Sequence, residues 1–160
     1  MKKWLQDSGF DELDVAILEA LQNNGRISVA DLARKIHLSQ PAIHNRIRRL
    51  EREGVIRQYV ALLDREIVGY DLLCFIQISL QAHSHDQISL LQEAISQMPP
   101  VLECFRLVGN YDLILKIAVR DRKALDEFVA NHLAKVPGVD RIQTSLVLNE
   151  IKATTALSLK

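Results

Sequence analysis

Apolar residues in the first third of the chain recur at helical spacing in three short runs, each with its own start signal. Leu13, Ile17, Leu18 and Leu21 follow Asp11, a capping residue, and the run stops at Asn23-Asn24-Gly25. Ser28 precedes Val29-Ala30-Asp31, where its hydroxyl can accept the third amide of a helix and Asp31 sits near the positive helix end. Leu32, Ala33 and Ile36 form the apolar side of that helix. Ser39 is a third cap, and Pro41 falls in the first turn, whose amides have no intrahelical partner. This helix is predicted to run to Glu53, with Gly54 supplying a left-handed terminus and Val55 or Ile56 folding back on the last turn. Only His37 and Leu38 separate the second helix from the third cap, a junction as tight as the turn of a helix-turn-helix.

Beyond Gly54 the period changes. Residues 55–63 read as a strand or β-wing, and 64–70 as a connector. Residues 72–81 alternate as a strand, with Ile76, Ile78 and Leu80 against Gln77, Ser79 and Gln81. Residues 84–98 follow as a helix carrying Ile88, Leu91, Ile95 and Met98, ended by Pro99-Pro100. Strands over 101–108 and 112–119 flank the short loop Gly109-Asn110-Tyr111. Asp121 caps a helix bearing Leu125, Phe128, Val129 and Leu133; Pro137-Gly138 stops it, and 139–148 is a last strand. The order βαββαβ is that of a ferredoxin-like sheet with two helices on one face. The predicted class is therefore α+β, with a winged helix-turn-helix over 1–60, a connector over 61–71 and a ferredoxin-like domain over 72–160.

The sheet face away from the helices is predicted to carry Phe75, Leu102, Cys104, Val108, Ile114 and Val147, too many apolar groups for a face that meets only water. A second subunit packed on that face is expected. Cys74 and Cys104 lie in apolar strands, outside any CxxC or Cys/His ligand spacing, and read as buried thiols; no metal and no cofactor are expected. The N-terminus, Met1-Lys2-Lys3-Trp4-Leu5-Gln6-Asp7, has no signal-peptide run and no segment reaches membrane-spanning length, which points to the cytoplasm.

Formal net charge is zero, yet the positive charge is unevenly spread. Between Arg34 and Arg57 seven Lys/Arg face two acids, a local +5. On the third helix Ile43, Ile47 and Leu50 form the buried stripe, and the opposite side carries Pro41, His44, Asn45, Arg48, Arg49 and Arg52, with Gln40 at its leading edge. Arginine can pair with guanine, and Asn or Gln with adenine, across the major groove, so Gln40, His44, Asn45 and Arg48 are candidate base readers. Arg49, Arg52 and Arg57 are candidate phosphate contacts, and Arg46 belongs to the same basic set.

These features together resemble the Lrp/AsnC (feast/famine) family of bacterial and archaeal regulators over essentially the whole chain. The resemblance is carried by Leu13-Asp14, Asn24-Gly25-Arg26-Ile27-Ser28, Leu32-Ala33, Leu38-Ser39, Arg46-Ile47-Arg48-Arg49-Leu50-Glu51, Gly54-Val55-Ile56, Tyr59 and Asp64. In the second half it rests on Gly109-Asn110-Tyr111-Asp112, Pro137-Gly138-Val139 and Thr144-Ser145-Leu146-Val147-Leu148. It implies a transcriptional regulator that binds double-stranded DNA, with a C-terminal domain of the RAM type. It also implies a dimer formed through the sheets, assembled further into tetramers or octamers, with an amino acid or related metabolite as effector. Residue by residue, Gly109, Asn110, Tyr111 and Asp112 would form the effector loop, with Thr144 and Ser145 nearby. Gly109 to Asp112 is equally a turn that needs no ligand.

Two other classes compete. Some proteins resembling this family in both domains are sirohaem decarboxylases, but none of His37, His44, His83, His85 and His132 falls in the strands between 101 and 119, and catalysis is not expected. A winged helix used only for protein contacts would share the apolar pattern; the basic strip on the third helix argues for DNA.

Overall fold

The computed structural model describes residues 9–81 and 85–159, and the backbone alone at 85–87. The N-terminal heptapeptide, His83, the side chain of His85 and the expected helix start at Ser84 lie outside the described residues. Two compact units emerge, one comprising the residues through Leu62 together with those from Lys152 onward, the other Leu63–Ile151.

The first unit holds three helices, α1 (Glu12–Asn23), α2 (Val29–Ile36) and α3 (Gln40–Arg52). Each begins at the cap that the sequence supplies. Asp11 accepts the Asp14 amide at 2.9 Å while Asp14 accepts the Asp11 amide at 3.0 Å, so two otherwise unpaired helix amides are met reciprocally. Ser28 Oγ accepts the Asp31 amide at 3.1 Å and Ser39 Oγ the Ala42 amide at 3.4 Å. The turn between α2 and α3 pivots on His37, whose φ of 59° is the only positive value at a non-glycine among the described residues. Gly54, at φ 73°, reverses the chain after α3, and the amides of Val55 and Ile56 both return to the Leu50 carbonyl. Ile17, Leu18, Ala20, Leu32, Ala33, Ile43 and Leu50 form the core.

Residues 55–63 form no strand, contrary to expectation. The stretch runs without a ladder partner in its own chain, and a lone strand leaves its amides and carbonyls to water. It ends where the Asp64 carboxylate accepts the amides of Glu66 and Ile67, at 3.0 and 3.2 Å, and turns the chain. Residues 152–159 also depart from the expected boundary. The Gln22 side chain hydrogen-bonds the backbone of Leu157, and Leu159 packs against the helical core.

The second unit runs β1 (Leu72–Leu80), α4 (His85–Ser96), β2 (Val101–Arg106), β3 (Leu113–Val119), α5 (Arg122–Glu127) and β4 (Val139–Leu146). The four strands pair antiparallel in the order β2-β3-β1-β4, as the βαββαβ pattern predicts. Cys74, Ile76 and Ile78 of β1 stand opposite Ile117, Leu115 and Leu113 of β3, and all are buried with Leu80, Leu91, Ile95, Phe128 and Leu133. After Glu127 the helix widens into a π-helix over Phe128–Leu133, with the Ala134 amide reaching back five residues to Val129. The period-3.6 reading missed this because it registers which side is apolar and not the turn's width.

Register corrects the predicted outer face. Phe75 and Ile114 lie on it, joined by Phe105, which pairs with Ile114. Cys104 stands opposite Leu115, on the helix-bearing side, and is exposed where a buried thiol was expected. Leu102 falls at an irregularity between Val101 and Glu103, and Val108 is fully exposed beyond the end of β2. One residue of slip at that irregularity exchanges the two faces of β2, so alternation counted from sequence misassigned the strand.

A Cβ on Gly54 would meet nothing within 4 Å, so Gly54→Ala carries a purely backbone penalty. Loss of about 1–2 kcal/mol is expected in denaturant unfolding; an unchanged midpoint would remove the left-handed cap as a source of stability.

Candidate nucleic-acid interface and effector loop

Asp14 is fully buried, the only buried polar or charged side chain among the described residues. Its carboxylate accepts the Arg46 guanidinium at 2.8 Å and is also held by Arg49; Arg46 reaches Asp11 as well, at 2.8 Å. The Arg49 guanidinium lies 5.7 Å from the Phe10 ring centroid, within cation–π range. Two of the expected DNA contacts are thus turned toward α1. Counted at 100° per residue from Ile43, Arg46 and Arg49 fall about 60° and 120° to one side, flanking the buried stripe. Arg48 and Arg52 fall about 140° and 180° away, fully outward.

The outward strip is the remainder of the predicted set. Gln40, Pro41, His44, Asn45, Arg48, Arg52 and Arg57 are all exposed. Arg48 has no acidic partner among the described residues, and Arg52 lies 3.9 Å from Glu53. Gln40, Pro41 and His44 share a shallow concavity with Val29 at the start of α2. Amides, an imidazole and guanidinium groups therefore project from one helix face, the chemistry required to meet base edges and phosphates. The local +5 overstates what this face offers, because Asp11 and Asp14 neutralise two of its arginines from within.

Burial pushes the Asp11 carboxyl up, but hydrogen bonds from Arg46 and from the Asp14 amide, with the Arg46 charge, outweigh it and hold it below the ordinary aspartate value. Arg46 is held up in turn, first by its hydrogen bond to Asp11 and then by Asp14. Tyr59, which donates to Glu51 at 3.0 Å, is pushed up to about 12 by burial and by that carboxylate.

In the sheet unit the loop residues divide. The Asp112 carboxylate accepts the Leu80 amide at 2.8 Å and its own amide donates to the Ile78 carbonyl at 2.9 Å, so it stitches the hairpin to β1. Tyr111 donates its hydroxyl to Gln143, and Arg141 lies over its ring at 5.7 Å. Ser145 stands opposite Phe75 and Thr144 opposite Ile76, so the two hydroxyls occupy opposite faces. Gly109 and Asn110 are exposed. Tyr111, Gln143 and Arg141 thus come together; Gln143 and Arg141 were not legible, since only register sets them beside a loop 32 residues earlier. Among the described residues no group of three His, Cys, Asp or Glu could hold a metal, and no helix is long and apolar enough to cross a membrane.

The model of the AsnC-type helix-turn-helix domain matches residues 10–51, and that of the Lrp/AsnC ligand binding domain matches residues 73–157. The chain belongs to the Lrp/AsnC family of transcriptional regulators. Among Lrp/AsnC relatives, the Bkd operon transcriptional regulator of Pseudomonas aeruginosa is 36% identical over 146 residues, 91% of this chain and 95% of its own length. The leucine-responsive regulatory protein of Escherichia coli is 34% identical over 150 residues, 94% of this chain and 92% of its own. A transcriptional regulator from Neisseria meningitidis, solved as its complex with L-methionine, superposes with a TM-score of 0.90 at 37% identity, covering 94% of this chain and 97% of that one. Escherichia coli AsnC superposes at 0.85 with 29% identity, over 92% and 97%. As an Lrp/AsnC member the protein is a DNA-binding transcriptional regulator with a ferredoxin-like effector domain, the fold and class its sequence predicts.

Asp14→Ala leaves two guanidinium groups, 24% and 33% exposed, without their shared partner. A loss of about 3 kcal/mol in unfolding free energy is expected, the lower end of the buried-pair range because both arginines reach water; a loss under about 1 kcal/mol would show the tie to be ornamental. The depressed Asp11 value adds stability that is complete above its unfolded value and is lost as pH falls through the folded one. Acid unfolding of the helical unit should therefore begin only below about pH 4.

Proposed function

We propose that the protein reads duplex DNA with the outward strip of α3, using Gln40, His44, Asn45 and Arg48 for base edges and Arg52 and Arg57 for phosphates. The observation that carries this is the sorting of arginines on one helix: Arg46 and Arg49 are tied to Asp14, while Arg48 and Arg52 stay exposed beside base-reading amides. Pro41 sets the first turn of that helix, and Arg46 and Arg49 act on DNA through its orientation.

The sheet unit is read as the sensor and the oligomerisation surface. Exposed Phe75 and Phe105 beside Ile114 support a dimer through that face, and further assembly to tetramers or octamers extends it. Two copies would present two α3 helices to half-sites about one helical turn apart. The effector is an amino acid, as the methionine complex of the Neisseria meningitidis relative suggests by likeness. Gly109 and Asn110 supply backbone amides, Tyr111 and Ser145 hydroxyls, and Asp112 the hairpin's geometry, while Thr144, on the other face of β4, stands outside the site. Arg141, stacked on Tyr111, is a cation suited to the effector carboxylate. The reading is of a cytoplasmic regulator without catalytic activity or resident cofactor.

Selection of bound sequences from random duplex DNA by the purified protein tests the first part. An enriched pseudo-palindrome supports it, and no enrichment in any assembly state overturns it. On the selected site Arg48→Ala and Asn45→Ala should each cost about 1–3 kcal/mol of specific binding. Arg52→Ala should weaken specific and non-specific DNA alike and lower the salt slope by about 1. Arg49→Ala should act on unfolding first.

For the sensor, a panel of amino acids is titrated against operator affinity and sedimentation. One member should shift either quantity by about five-fold or more, and Arg141→Ala should abolish that shift without changing basal affinity. A flat response across the panel counts against the effector site.

A further inference from the structure

The sheet domain does not keep the chain's end. Residues from Lys152 onward belong to the helical unit, so the chain passes between the two units twice, once through the segment after α3 and once after β4. The contact that brings it back is a recognition of main chain. Leu157 donates its amide to Gln22 Oε1 at 2.6 Å, and its carbonyl accepts Gln22 Nε2 at 3.1 Å. A carboxamide carries a separate donor and acceptor and can answer both halves of a peptide unit, and here it answers both halves of one residue. The Leu157 side chain is 74% exposed and adds nothing specific. Two residues on, Leu159 packs against the core built by Ile17, Leu32 and Leu50. Thr154 Oγ1 accepts the Ala156 amide at 3.1 Å and bends the backbone just before the docked stretch. Between α1 and residues 156–159 lies a cleft of about 350 Å³, so the seat is partly open.

We propose that the C-terminal end of α1 is a docking site for extended main chain, that its occupant is this chain's own segment 152–159, and that the docked segment is a second tether through which the sheet domain acts on the DNA-reading unit. The seat fits a reversible tether. Its polar contacts lie at an exposed position, where water competes for each hydrogen bond, and only Leu159 reaches the core. A change at β4, the strand preceding the tail, has two routes to α3: the segment after α3 and the tail on α1. The inference rests on the DNA-reading role given above for its coupling half, and on the Gln22–Leu157 geometry alone for its docking half.

The test uses the full chain and four variants. Gln22→Ala removes both bonds; Leu157→Pro removes the amide but keeps an apolar side chain; Leu157→Ala keeps the amide; a chain ending at Ile151 removes the tail. None of these changes touches the α3 strip. In the full chain the Leu157 amide should exchange with deuterium about ten-fold more slowly than in Gln22→Ala. Exchange equally fast in both overturns the docking. With the selected DNA, Gln22→Ala, Leu157→Pro and the shortened chain should shift operator affinity or its amino-acid response by a common factor of about five, while Leu157→Ala leaves both as they were. Protection at Leu157 with no change in either quantity overturns the coupling and leaves a structural anchor. A larger effect of Leu157→Ala than of Leu157→Pro overturns main-chain recognition. Failure of the unmodified chain to select any DNA overturns the DNA-reading role and the coupling with it, and exchange at Leu157 then decides the docking separately.

Discussion

A fully buried carboxylate at Asp14 governs the DNA-binding unit. Removing a charge from water costs several kcal/mol unless opposite charge and hydrogen bonds meet it. Here the groups that meet it, Arg46 and Arg49, come from α3. The rotation of α3 about its axis is therefore tied to α1, and that rotation decides which side chains face outward. With Arg46 and Arg49 drawn in, Asn45, Arg48 and Arg52 have one remaining direction. The same carboxylate closes the capping box at the start of α1. One residue thus helps start a helix, orients a second and sorts its arginines. In so small a unit, with seven buried apolar residues in its core among the described residues, a directional polar tie supplies orientation that apolar packing, being non-directional, leaves loose.

A comparable device recurs in the sheet unit. Asp112 uses both its amide and its carboxylate to fix the hairpin to β1, which sets Tyr111 at the side of β4. Tyr111 then meets Gln143 and Arg141, two residues whose neighbours in sequence give no hint of the loop. The turn reading and the ligand reading of Gly109 to Asp112 are thereby compatible. Asp112 serves the backbone, and Tyr111 beside it meets Gln143 and Arg141.

Much of the fold was legible because its signals are local. Asp11, Ser28, Ser39 and Asp121 each accept the amide that a cap of their type accepts, and Gly54 adopts the left-handed turn that lets Val55 and Ile56 fold back. The strand order follows from the βαββαβ sequence and the short hairpin at Gly109. The exposed half of the α3 strip was legible from helical angle, and the same angle applied to Arg46 and Arg49 would have set them at the flank. That they pair with Asp14 was not, because the partner lies more than thirty residues earlier in sequence.

The sequence by itself determined the three N-terminal helices, the βαββαβ order, the capping residues, the family and the helix that carries the candidate DNA contacts, since each depends on spacing within a few residues. Tertiary structure decided the rest. It turned two arginines inward, moved Cys104 to the exposed, helix-bearing side, left residues 55–63 without a ladder, widened the last helix at Phe128 and returned the tail to Gln22. These outcomes depend on register and on contacts between residues far apart in sequence. A one-residue slip or a distant carboxylate changes them without altering the local pattern from which a sequence is read.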